Sequence, residues 1–394
     1  MANRKVLYLT NIPSPYMVAY LNELGKYCEL KAVFEKNSDN SRPDLWKETL
    51  SDELTFEYTV LKGISISSKL YGDDKGYAPD DKAFSPSVVK CISSEYDIII
   101  VGNPCTPTGI TAILYMQLKK IPYCIQSEGG FPGSGKGLKE KFKYRLMSRA
   151  DLYFSTCDLD DEYFYTYGAT KERIRRYNFT SMYKRDIPKS IITDAEKKAI
   201  RSKLGVKSDF MVLTVGRSVP VKGFDSLIRA FKGVNEHLNS ATGKKCFLYF
   251  VGAEKLSEYT GIIESEKIDN ICFVENIPFE QVKDYYRAAD VFILPTRGDT
   301  WGLVINEAMA YALPIITTDK CIAADALIKD GEGGIIVCVD DEEGFRNAMI
   351  KLLIDSDERI RMGEINYKII QENTLEQMGI TMSEHIEDYC RNKE

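Results

Sequence analysis

Short apolar, β-branched runs alternate with stretches of helical period along most of the chain. Residues 6–10 (VLYLT) predict a first strand, and from Pro15 to Cys28 the positions Tyr16, Ala19, Tyr20, Leu24 and Tyr27 recur at helical spacing. Further strands are predicted at 30–34, 55–61, 97–102, 122–126, 151–156 and 173–179. The period is lost over 180–193 (TSMYKRDIPKSIIT), where Pro188 also breaks regular structure, and a linker is expected there. A second series runs through 210–215 (FMVLTV), 246–251, 271–275, 291–294, 314–317 and 334–339. A final helical stretch at 374–390 has no strand after it.

Strands separated by helices imply parallel sheets covered on both faces. Two such series imply an α/β chain of two doubly wound, Rossmann-like domains, at 1–185 and 194–372, facing across a cleft. Residues 373–394 are expected as a helix packing back on the first domain. The cleft at the carboxyl ends of the strands is the expected ligand site.

Composition narrows the classes. Apolar residues make up 44% and charged residues 28% of 394 residues, a globular balance that excludes disorder. The longest apolar runs (96–101 and 334–339) have strand length, far short of the roughly 18 residues a membrane span needs. Residues Met1 to Lys5 lead straight into the first strand without a cleavage-site pattern, so no signal peptide is expected. The ten cysteines form no CxxC pair, which argues against a zinc site or disulfide framework and for a cytoplasmic chain. Residues 1–190 hold 27 Lys and Arg against 24 Asp and Glu, so residues 191–394, with 25 against 34, carry −9 and the whole chain −6. No aromatic motif interleaves the basic residues, and nucleic acid is not an expected partner.

Candidate chemistry concentrates in the second half. Gly216-Arg217-Ser218-Val219-Pro220-Val221-Lys222-Gly223 follows a strand and opens a helix. Arg217 offers a planar fork of donors and Lys222 a mobile charge, both suited to phosphate, and the glycines permit close approach. Taken alone, Arg and Lys flanking a loop are more often solvated surface charges. The run Arg297 to Ala310 (RGDTWGLVINEAMA) also follows a strand and opens a helix. There the N–H groups of Gly302, Leu303 and Val304 would present a positive helix end to an anion. Glu307 is placed to reach vicinal hydroxyls, the alternative being an ordinary exposed helical glutamate. Asp299 either faces another part of the same ligand or simply caps the helix.

Two acids eight apart around an aromatic-Gly-Leu-Val core, with Gly-Arg-x4-Lys-Gly about 80 residues upstream, resemble the signature of retaining glycosyltransferases of family 4. Residues 288–295 (AADVFILP) and 329–334 (KDGEGG) fit too, and the likeness covers about 210–340 closely and 1–180 in outline. It implies the GT-B fold and a hexosyltransferase-type enzyme that needs no metal or other cofactor. A nucleotide-diphosphate sugar is the implied donor, and a saccharide, lipid-linked in cell-surface polysaccharide synthesis, the acceptor. Gly216, Arg217, Lys222 and the backbone of Gly302, Leu303 and Val304 would then hold the diphosphate, and Glu307 the ribose. Asp299, where the family usually has Glu, would lie near the donor sugar. A non-catalytic nucleotide-sugar-binding or scaffold protein is the alternative, and the shorter Asp299 and a missing family histidine favour it. An epimerase or a phosphorylase on the same fold would need acid/base residues or a cofactor lysine that the sequence does not offer.

The first half should meet the acceptor. Ser14 and Pro15 read as a capped helix start as readily as a ligand contact. The family's mid-domain histidine is missing, and His237 and His385 read as structural. At the equivalent strand end stands Gln126-Ser127-Glu128-Gly129-Gly130, where Glu128 is either a sugar or acceptor contact or a surface carboxylate. Lys136, Lys139, Lys141, Lys143, Arg145 and Arg149 cluster with only Glu140 opposing, among Phe142, Tyr144, Leu146 and Met147. Residues 136–149 thus predict either a solvated basic helix or an amphipathic one resting peripherally on the inner face of an anionic cell membrane.

Overall fold

A computed structural model of the chain describes residues 3–37, 54–66, 82–133, 137–275 and 277–394. They divide into two compact units, Met1–Ser181 with Asn373–Glu394, and Met182–Glu372.

The first unit has nine strands among the described residues: β1 (Lys5–Thr10), β2 (Glu29–Phe34), β3 (Glu57–Val60), β4 (Ile64–Ile66), β5 (Lys82–Phe84), β6 (Ile98–Val101), β7 (Cys124–Gln126), β8 (Tyr153–Ser155) and β9 (Ile174–Arg176). Seven form a parallel sheet in the order β3-β2-β1-β6-β7-β8-β9, while β4 and β5 pair antiparallel to each other. All four residues of β6 are buried, as expected of a strand covered on both faces. The first helix, Pro15–Leu24, stops at Gly25, short of the predicted Cys28. Ser14 stands at its N-cap position but its hydroxyl makes no capping bond; the side chain is buried instead.

Helix Leu375–Arg391 belongs to this first unit and packs on helix Pro15–Leu24. Leu375, Met378, Met382 and Ile386 recur at helical spacing and are buried. Gly379 permits the close approach, since a Cβ there would stand 3.0 Å from the Glu23 Cβ. Arg4 pairs with Glu387 at 3.0 Å, Tyr389 donates to Asp151 at 2.8 Å, and His385 Nε2 lies 2.8 Å from the Arg176 carbonyl.

The second unit carries β10 (Phe210–Val215), β11 (Cys246–Val251), β12 (Ile271–Val274), β13 (Val291–Leu294), β14 (Ile315–Thr318) and β15 (Gly334–Val337). They form one parallel sheet in the order β12-β11-β10-β13-β14-β15. Its core gathers Phe224, Leu227 and Phe231 of helix Phe224–Phe231 with Leu248, Phe250, Ile293 and Phe345. Strand order reverses between β10 and β13, which are neighbours, so the loops leaving their carboxyl ends flank a crevice. All ten cysteines are free.

Candidate functional site

β10 ends in a turn that the sequence builds from its glycines and Pro220. Gly216 continues the ladder by donating to Val251 at 3.0 Å. Arg217 is half-buried, and its carbonyl accepts the Val219 N–H at 2.9 Å. Pro220–Lys222 makes one tight helical turn, closed by the Lys222 N–H on Val219 at 2.9 Å. Gly223 follows at φ 65°, and a Cβ there would stand 2.1 Å from the Pro295 carbonyl oxygen. The β10 and β13 loops therefore touch at this glycine.

From the β13 side, Val221 receives the Arg297 N–H at 2.7 Å and the Thr296 hydroxyl at 3.1 Å. The Arg297 guanidinium donates to the Pro220 carbonyl at 2.7 Å, to Asp225 at 2.8 Å and to Asp340 at 2.9 Å. Burial acts to raise the Asp225 carboxyl, but Arg297 outweighs it and leaves Asp225 below the usual carboxylate range. Arg297 thus staples the turn carrying Lys222 to the loop carrying Asp299. Between them, Lys222 Nζ lies 2.5 Å from Asp299 Oδ2, both side chains being largely shielded.

Asp299 is not a helix cap. Its N–H bonds to Lys320 at 2.9 Å in a bridge alongside Cys321, and the N-cap of helix Leu303–Ala310 is Gly302. Gly302 adopts φ 93°, where a Cβ would lie 2.8 Å from Cys321 Sγ. Trp301 is buried and donates from Nε1 to Asn306 at 2.7 Å, pinning the loop to the helix. The N–H groups of Leu303 and Val304, in the first helical turn, have no acceptor within the helix. Glu307 lies about 6 Å further along the helix.

Glu307 is half-buried, and its carboxylate accepts the Tyr286 hydroxyl at 2.7 Å. Burial pushes its pKa up to about 7, against the lowering effect of Tyr286 and Lys283. Tyr286 comes from helix Phe279–Ala288, and its buried ring lies parallel to Tyr311 at 5.7 Å. The second unit thus assembles Gly216, Arg217, Lys222, Asp299 and Gly302 to Val304 around one sheet crevice, with Glu307 one turn inside. Such an arrangement can hold a diphosphate and a vicinal diol. Sequence reasoning missed Tyr286, which has no motif spacing, and Arg297, which lay inside the acidic motif without an assigned role.

In the first unit Glu128 follows β7 and accepts the Tyr16 hydroxyl at 3.1 Å. The Tyr177 hydroxyl donates to the Ser127 carbonyl at 2.6 Å, and Tyr20 donates to Gln126 at 3.3 Å. Buried Asp160 nearby is pushed up to about 7 by burial. Among the described residues no group of three or more His, Cys, Asp and Glu could hold a metal ion.

The basic stretch forms helix Leu138–Met147; Lys136 lies outside the described residues. Lys143 departs from the expected solvated charge. It is turned inward, 4.1 Å from the Tyr167 ring centre and 4.5 Å from that of Tyr163, and burial lowers its pKa. No described helix is long and apolar enough to cross a membrane.

Residues 196–369 match the family model described as glycosyl transferases group 1. A D-inositol 3-phosphate glycosyltransferase of Acidothermus cellulolyticus is 28% identical over 200 residues, 48% of this chain and 42% of its own length. The putative teichuronic acid biosynthesis glycosyltransferase TuaC of Bacillus subtilis is 25% identical over 275 residues, 67% of this chain and 65% of its own. The chain thus spans less than two thirds of either relative. Among solved structures, Anabaena Alr3699/HepE in complex with UDP superposes with a TM-score of 0.76 at 15% identity, covering 98% of this chain and 100% of that one. The fold is that of the GT-B glycosyltransferases.

Proposed function

We propose that this chain, whose second unit carries a glycosyl transferases group 1 domain, is a retaining, metal-independent glycosyltransferase. It would move a sugar from a nucleotide-diphosphate sugar to a saccharide acceptor, lipid-linked in cell-surface polysaccharide synthesis. The observation that carries this reading is the β10/β13 crevice, where Arg217 and Lys222 stand with the helix N-terminus at Gly302. As the glycosidic bond breaks, negative charge grows on the departing diphosphate. Fixed cations and helix N–H groups aimed at that charge lower the barrier without a metal ion. Glu307 would accept from the ribose hydroxyls with the carboxylate oxygen that Tyr286 leaves free. Glu128 is proposed to meet the sugar or the acceptor hydroxyl. Retention rests on the family likeness alone.

UDP, the ligand of the Anabaena complex, marks UDP-sugars as the first donors to assay. Lys222→Ala and Arg217→Ala should each lower transfer by about 100- to 1000-fold, and wild-type transfer should persist in chelator. Transfer abolished by chelator and restored by a divalent ion would overturn metal independence. The alternative, a nucleotide-sugar-binding scaffold, draws on Asp299, whose short carboxylate is engaged by Lys222. Nucleotide binding without turnover on any donor would favour it.

A further inference from the structure

A buried carboxyl that takes no part in the nucleotide chemistry stands just after β2. Glu35 is 5% exposed, and its N–H extends the ladder to the Thr10 carbonyl at 3.0 Å, which brings the two residues together. The Thr106 hydroxyl donates to the Glu35 carboxyl and, among the described residues, is its one hydrogen-bond partner. Thr106 also caps helix Pro107–Lys119 by accepting the Gly109 N–H at 3.0 Å, so the helix start holds this donor in place. A carboxyl this buried is costly to ionise, and burial pushes Glu35 up to about 7 against Thr106 and Lys36. Thr10 is 2% exposed, and its hydroxyl has no hydrogen bond among the described residues.

Both residues line one recess of about 220 Å³ at the carboxyl ends of β1, β2 and β6. Its wall is otherwise mainly apolar: Leu9, Val33, Leu61, Val88, Val101 and Ala112. Thr108 lines it too, but its hydroxyl is spent on the Ala83 carbonyl at 2.8 Å and the Ser85 N–H at 3.0 Å. Size and chemistry together define what fits. The recess is smaller than the roughly 300–1,000 Å³ that hold whole small molecules, so it suits a single substituent. The apolar wall calls for a methyl group, the Glu35 carboxyl for a hydrogen-bond donor and the Thr10 hydroxyl for an acceptor. A hydroxyl or an ammonium brings no methyl. An acetamido group brings all three.

We propose that this recess binds the acetamido group of an N-acetylated amino sugar. Its N–H would donate to Glu35, its carbonyl would accept from Thr10, and its methyl would lie against the apolar wall. The inference rests on the reading that the first unit meets the acceptor, and it names the acceptor's class. β2 and β7 are three strand steps apart, about 14 Å, so the group recognised is remote from the hydroxyl at Glu128. Binding energy gained at such a remote substituent can be used to orient the reacting one.

The test is saturation-transfer NMR on the full chain without nucleotide. The probes are the methyl glycoside of N-acetylglucosamine, methyl glucoside and glucosamine. Wild type should saturate the acetamido methyl most strongly and leave the other two sugars unmarked. Glu35→Leu and Thr10→Val should each weaken binding about ten-fold, the loss of one hydrogen bond to a buried group. Glu35→Gln, whose amide oxygen still accepts, should weaken it less than about three-fold. Glu128→Gln should leave it unchanged. Equal saturation of methyl glucoside, tighter binding of glucosamine, or binding that survives Glu35→Leu with Thr10→Val would overturn the proposal. So would loss in Glu128→Gln, which would put the sugar at the β7 loop. If thermal unfolding shows Glu35→Leu to be misfolded, Thr10→Val, which keeps the native shape, decides. Transfer may fail on every donor while this binding stands, so the two readings fall separately.

Discussion

At the residue scale, the Lys222–Asp299 and Glu307–Tyr286 contacts are where the proposed site can be tested most directly. Asp299 lacks one methylene of the usual Glu, and its carboxylate reaches Lys222 at 2.5 Å. With both side chains partly exposed, a double-mutant cycle of Lys222→Ala and Asp299→Ala should give a coupling of about 1 kcal/mol in urea unfolding. Saturating nucleoside diphosphate should reduce that coupling, because the phosphate competes for Lys222. Glu307 has its pKa raised from 4.5 to about 7, chiefly by burial. The folded state then keeps a proton that the unfolded chain has released. Its stabilising contribution is complete below 4.5 and is lost as pH rises through about 7. The unfolding free energy of wild type minus that of Glu307→Gln should therefore fall across this window and level off above it. Donor affinity should move oppositely, weakening below about 7 as the carboxylate proposed to accept from the ribose is protonated. Tyr286→Phe removes a bond that holds this pKa down, so the donor KM profile should shift to higher pH. An unmoved profile would leave Tyr286 a purely structural residue.

At the scale of elements, Gly223 sets how near the β10 and β13 loops can come. Sequence reading gave the same reason, close approach, to Gly216 and Gly223. The structure separates them: a Cβ at Gly216 meets nothing nearer than the Phe224 ring at 3.6 Å, whereas one at Gly223 would strike the Pro295 carbonyl. Gly302 combines a positive φ with the Cys321 sulfur behind it. Gly223→Ala and Gly302→Ala should each destabilise the second unit by about 1–3 kcal/mol, read as a lowered urea midpoint. Strands were legible where apolar runs were continuous: β10, β11 and β13 fall at their expected positions. β9 is shorter than its apolar pattern, because pairing with β8 ends at Arg176. The short β4/β5 pair had no sequence signal at all. The inward turn of Lys143 was equally hidden, since it depends on Tyr163 and Tyr167 from another helix.

At the scale of the molecule, the chain crosses from the first unit to the second at Ser181 and comes back at Asn373. Helix Leu375–Arg391 completes the first unit's packing over helix Pro15–Leu24. Met382→Ala should cost that unit about 2–5 kcal/mol, the range for truncating a buried Met. Limited proteolysis should then open the first unit ahead of the second. Protection that stays equal in both units would mean the helix contributes little to the first.

The sequence by itself determined the two α/β series, the returning helix and the residue types around the β10 and β13 loops. Those features are written in local period and in motifs a few residues long, which chain geometry alone converts into strand ends and helix starts. What tertiary structure decided was partnership. Lys222 meets Asp299 across 77 positions, Arg297 staples two loops, and Tyr286 holds Glu307. Contacts of this kind depend on strand order and on which helix faces are covered, and both are set by burial over the whole unit.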